Sequence, residues 1–216
     1  MFLPSSFVQK YRFWLFLLAG AIIRQLPLVS IPFKWLESYF HEISHGIAAL
    51  VSGGSIVQIQ LFPNGAGLCT TLGGQAFLIS FFGYAGAIIW GALIYNLAGQ
   101  HQRVAKWFSG FIIGLLVCSI IFWVRDLLTL VIIAVLIIAF VAMQKFDKLK
   151  HLQNLMQLIG AVVLLNSLFS PLYLIDGRNL GDGANLASLT AIPEIIWVMV
   201  WSLLAVFTAI LLGRKA

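Results

Sequence analysis

Apolar runs long enough to form membrane-crossing helices follow one another from end to end of this chain, with little between them. A lipid core has no water to satisfy backbone N–H and C=O groups, so only helices and closed barrels can cross it. A crossing helix needs about 20 mostly apolar residues. We read candidate spans at residues 12–31, 35–52, 76–98, 107–124, 127–143, 155–175 and 193–212. Only Arg125 and Asp126 separate the fourth from the fifth, so that pair is either two helices on a tight turn or one kinked helix. The expected fold is an all-α polytopic membrane protein with six or seven transmembrane helices. Residues 1–216 leave room for a single integral membrane domain.

A soluble domain carries roughly a quarter charged residues, whereas this chain carries 9% and is 61% hydrophobic. Its formal charge of +6 is dispersed over the breaks between runs, at Arg103 and Lys106, at Lys145, Lys148 and Lys150, and at Arg214 and Lys215. That distribution signals topology and contact with anionic headgroups, and no nucleic-acid partner is expected. With seven spans these clusters share one side, while Lys10 and Arg12 fall on the other, so the basic residues give a mixed orientation signal. Lys10 and Arg12 also resemble the start of a secretory signal. Arg24 and Pro27 follow, however, without a small-residue cleavage motif, so a retained helix is expected. Cys69 lies in a polar stretch and Cys118 in an apolar one, and neither a disulfide framework nor a cysteine metal knuckle is available.

One segment breaks the apolar pattern. In "SIVQIQLFPNGAGLCTTLG", residues 55–73, Val57, Ile59 and Leu61 alternate with Gln58 and Gln60. Pro63-Asn64-Gly65 then supplies a turn, and a second run tolerant of extended backbone follows. The pattern predicts a short membrane-associated β-hairpin, with a plain connecting loop as the alternative. Further on, Gly83, Gly86 and Gly91 suit close helix–helix approach.

Three ionisable groups stand together in the second apolar run, as "HEISH" at His41 to His45. Positions i and i+4 share a helix face about one turn apart, so both imidazoles can reach one metal ion. Glu42 points at a neighbouring angle, where it can take a proton from a water held between them. This is the arrangement of zinc hydrolases. Ionisable groups inside a bilayer are costly and functional by default, and a dication compensates all three.

Catalytic zinc takes three protein ligands and leaves one position open. A third histidine six residues further on is absent, because Val51 stands there. His101 and His151 sit among basic and polar neighbours and read as solvated loop residues. Asp126 and Asp147 adjoin basic residues at span ends. Glu37, one turn before His41, reads either as a residue supporting the site or, as we prefer, a surface residue, and Glu194 suits the first turn of a helix after Pro193. The segment 166–193 contains Asp176 and Asp182, each followed by glycine. Either could cap a helix or make a turn, and either could bind a metal.

The segments "HEISHGIAALVSGGSIVQIQLFPNGAGLCTTLGGQ", "GYAGAIIWGAL", "NSLFS", "GDGANLA" and "IIWVMVW" resemble the site-2-protease class of intramembrane zinc metallopeptidases, over about residues 35–210. The similarity is closest to a compact subgroup found in bacteria and plants, without the PDZ modules of the larger enzymes. The resemblance implies that His41 and His45 bind Zn2+, that Glu42 is the general base and that a later aspartate completes the site. Asp182, in "GDGANLA", is the better match, and Asp176, in "IDG", is the alternative. It further implies a membrane-protein or peptide substrate and a place in a cell membrane, that of a bacterium. The competing class is a non-catalytic metal-binding scaffold or a transporter, but the chain contains no internal repeat of the kind transporters use.

Overall fold

In the computed structural model, which describes residues 9–146, 149–175, 178 and 180–215, the apolar runs form helices that pair their own backbones. The order is α1 (Arg12–Arg24), α2 (Pro27–Val51), β1 (Ser55–Leu61), β2 (Gly67–Leu72), α3 (Ala76–Gln100), α4 (Gln102–Phe122), α5 (Leu127–Phe146), α6 (Leu149–Phe169), a 3-10 turn (Ser170–Leu174), α7 (Asp182–Thr190) and α8 (Glu194–Lys215). Among the described residues, α3, α4, α5, α6 and α8 are each long and apolar enough to cross a membrane. The α1–α2 pair, bent by 115°, makes a sixth candidate crossing at most.

The first two sequence spans are therefore redrawn. Pro27 cannot continue the helix before it, and it drives Leu26 into extended backbone (φ −103°, ψ 97°). With 13 residues, α1 reaches only about 20 Å. Between α4 and α5 the tight turn prevails over the kinked helix. There the Thr129 N–H donates to Asp126 Oδ1 at 2.8 Å and starts α5.

The bundle is built on α3 against α6, whose backbones touch. A Cβ on Gly91 would lie 2.8 Å from the Leu164 nitrogen, and one on Gly160 would lie 2.5 Å from the Tyr95 nitrogen. Phe13 of α1, fully buried, packs edge-on against Tyr95 at 4.9 Å between ring centroids.

Residues 55–73 do form a hairpin. Leu61 pairs with Gly67, and the Phe62 N–H donates to the Ala66 carbonyl at 2.9 Å. The Ala66 N–H donates to Asn64 Oδ1 at 3.0 Å. Gly65, at φ 88°, takes the left-handed position that the turn requires. The outer edge of β1 is occupied: Ile59 N–H donates to the Trp123 carbonyl at 3.0 Å and Leu61 N–H to Thr129 Oγ1 at 2.9 Å. The hairpin is thus anchored to the α4–α5 connection, at the opposite end of the bundle from the α3–α4 connection.

Arg12 donates to Asn154 near the start of α6, and Arg12, Gln100 and Leu212 line one cavity. Arg12 therefore lies at the end of the bundle that also carries Arg103, Lys106, Lys145, Lys150 and Arg214. By the positive-inside tendency this end is predicted to face the cytoplasm. A fluorescent protein fused after Ala216 is accordingly expected to fold and emit in cells. An alkaline phosphatase fused at the same point is expected to stay inactive. Active phosphatase there would reverse the orientation.

Candidate metal centre

Helix α2 runs through the middle of the site, and its 3.6-residue period sets His41 and His45 on one face. Their Nε2 atoms are 2.9 Å apart. Each lies 3.2 Å from Oδ2 of Asp182, the first residue of α7. Gly181, at φ 97°, turns the chain into α7, and no side chain caps that helix. The Asp182 carboxylate is instead directed at the two imidazoles. Burial opposes its ionisation, yet the neighbouring histidines hold it well below the usual carboxylate range. Asp176 lies outside the described residues.

These three atoms suit a small dication. Tetrahedral zinc with bonds of 2.0–2.1 Å separates its ligand atoms by about 3.3 Å, close to the spacings just given. Nδ1–H of His45 donates to the Ile79 carbonyl at 2.7 Å, so a neutral imidazole there presents its Nε2 lone pair to the other two atoms. Two imidazole nitrogens and a carboxylate oxygen then converge as acceptors. Among the described residues this is the one group of three or more His, Cys, Asp or Glu side chains able to share a metal.

The scaffold leaves room for the imidazoles by omission. A Cβ on Gly83 of α3 would lie 2.5 Å from His45 Nε2 and 2.8 Å from His41 Cε1. Gly91 serves the helix packing expected of it, whereas Gly83 serves the site. On its other side His41 meets the Tyr84 ring edge-on, at 4.4 Å between centroids.

Glu42, buried, faces the hairpin. A Cβ on Gly67 of β2 would lie 2.5 Å from Glu42 Oε1, and the Cys69 backbone N–H is a hydrogen-bond donor to the carboxylate. Burial, with Glu42 beside it, pushes the Cys69 thiol up to about 12. Cys69 stands apart from the cluster of His41, His45 and Asp182.

His41 and Glu42 open into a cleft of about 550 Å³ between the hairpin turn and the end of α6. Glu37 lines it too, contrary to the surface position expected from sequence. It is buried, and its Oε1 accepts from Ser170 Oγ at 2.8 Å. The sequence reading also did not single out Tyr84, Asn166 and Ser170 as cleft residues. Their signal was polarity inside apolar helices, which in a membrane marks an interior face. His101 lies elsewhere and caps α4, where its Nδ1 accepts from the Arg103 N–H at 3.1 Å. His151 stands near the start of α6, at the far end of the bundle.

Comparison with curated proteins gives no match, and comparison with solved structures gives none either. A family model described as Peptidase M50B-like does match, over residues 14–212. That stretch runs from the third residue of α1 to the last turns of α8 and takes in the histidine pair, the hairpin and Asp182. The match agrees with the resemblance to site-2 proteases carried by the sequence. This integral membrane protein belongs to the Peptidase M50B-like family.

Proposed function

We propose that the chain is a zinc-dependent endopeptidase, with His41, His45 and Asp182 as the metal ligands and Glu42 as general base. Its substrates are membrane-embedded or membrane-proximal polypeptides, and its place is a bacterial cell membrane. The single observation behind this reading is the convergence of two imidazole Nε2 atoms and one carboxylate oxygen, 2.9–3.2 Å apart, next to a buried glutamate. When bound, zinc supplies a water that ionises near neutral pH and polarises the scissile carbonyl.

The residues of the chain do the rest. Glu42 takes the proton from the attacking water and delivers it to the leaving amine. The Cys69 N–H holds the carboxylate in place, and the low dielectric of the cleft strengthens every charge interaction within it. The substrate has to be extended, because a helix hides its carbonyls in its own hydrogen bonds. The outer edge of β2 suits that task. The corresponding edge of β1 is already bonded to α4 and α5, whereas β2 runs past Glu42 at Gly67 and Cys69.

Metal analysis of the purified protein tests the reading. A single zinc per chain is expected, with His41→Ala as the empty control. Chelation is expected to abolish cleavage of a fluorogenic transmembrane peptide, and added zinc to restore it. A metal-free native protein that folds and cleaves normally would remove the proposal.

A further inference from the structure

We infer that Arg24 makes the cleft selective for substrates that bring a carboxylate close to the scissile bond. The inference rests on the peptidase reading above and concerns the opposite end of the same cleft.

Arg24 is the last residue of α1, at the bend into α2. An arginine at the end of an apolar helix ordinarily reaches out to water. This one folds inward. Its guanidinium lies over the Phe169 ring, 4.1 Å from the centroid, and its Nη1 is buried with no hydrogen-bond partner. A charged donor buried and unpaired is costly, so it persists where something else meets it.

Glu37 lines the same cleft within electrostatic reach of Arg24, but its Oε1 is taken by Ser170 Oγ, and among the described residues Arg24 forms no ion pair at contact distance, so the Nη1 donor stays unmet. Glu42 faces the hairpin and Cys69. Lys34 also lines the cleft. A guanidinium presents a planar fork that matches a carboxylate with two parallel hydrogen bonds. Phe169 fixes the plane of that fork in advance, which lowers the ordering cost of binding.

Two kinds of carboxylate have this chemistry: an aspartate or glutamate flanking an apolar segment, and the free C-terminus of a chain. The test uses full-length Glu42→Gln protein in phosphatidylcholine nanodiscs, so that binding is read without cleavage. Three labelled peptides share one apolar sequence. The first is neutral, with Asn near its amidated end. The second has Asp in that place, also amidated. The third has the Asn and a free C-terminal carboxylate.

At least one carboxylate peptide is expected to bind about tenfold more tightly than the neutral one. Which of the two gains identifies the source. Adding Arg24→Gln is expected to erase the advantage while zinc content and thermal unfolding are unchanged. Arg24→Lys, which keeps the charge and loses the fork, is expected to retain part of it, and it serves should the glutamine variant not fold. Equal binding of all three peptides, or an advantage that survives Arg24→Gln, overturns the inference. So does an advantage that disappears when phosphatidylglycerol enters the nanodisc, because Arg24 would then be meeting a lipid phosphate. Because the readout is binding, selective binding by a native protein that never cleaves would leave this site standing and remove the peptidase reading instead.

Discussion

Replacing Glu42 by glutamine is expected to lower cleavage by about two to four orders of magnitude, the usual contribution of a general acid–base group, with zinc content and thermal stability unchanged. The substitution conserves volume, which matters where the backbone of Gly67 presses against the side chain. Glutamine also keeps a carbonyl oxygen to accept from the Cys69 N–H. What it loses is the ability to take a proton. Glu42 is separate from the cluster of His41, His45 and Asp182, so the metal is expected to remain. The measurement is a cleavage rate together with metal content and unfolding temperature for the same preparation. A variant that cleaves at the native rate would refute the assignment of Glu42. A variant that loses both zinc and activity would show that the glutamate holds the site together rather than working in it.

The part of this architecture legible in the sequence is the part that lipid dictates. Long apolar runs can only be helices, and the alternation of Val57, Ile59 and Leu61 before Pro63-Asn64-Gly65 can hardly be one. The paired imidazoles were legible as well, because a one-turn spacing depends on helix geometry alone. Three features were not. The bend at Pro27 leaves at most one crossing where two spans were expected, since hydropathy counts apolar residues and does not register that a 13-residue helix stops short of the far side. The interior position of Glu37 follows from the course of α6 and its 3-10 turn, which bring Ser170 beside it. The role of Gly83 depends on which helix faces the histidines. Its neighbours Gly86 and Gly91 look the same in sequence, yet one packs against Ser44 and the other against α6.

Asp182→Asn should release the metal. Neutral imidazoles alone make a two-ligand site, and an amide oxygen is a far weaker donor to zinc than a carboxylate. Loss of a supporting hydrogen bond to a ligand already costs about 10- to 100-fold in metal affinity, and loss of a ligand is expected to exceed that. Cleavage should fall with the zinc, in contrast to Glu42→Gln, where the two separate. The substitution is nearly isosteric and Asp182 makes no capping bond, so the cost falls on the contacts to the two imidazoles and on the favourable placement of a negative charge at the first turn of α7. Burial of Leu186 keeps that helix docked in either case. Zinc should raise the unfolding temperature of the chelated native protein and leave that of chelated Asp182→Asn unchanged. Asp176→Asn is the necessary companion, because that aspartate is the other carboxylate the sequence offers. If it empties the site while Asp182→Asn stays loaded, the third ligand is Asp176. The 3.2 Å approach of Asp182 to both imidazoles would then describe an ion pair of the metal-free chain.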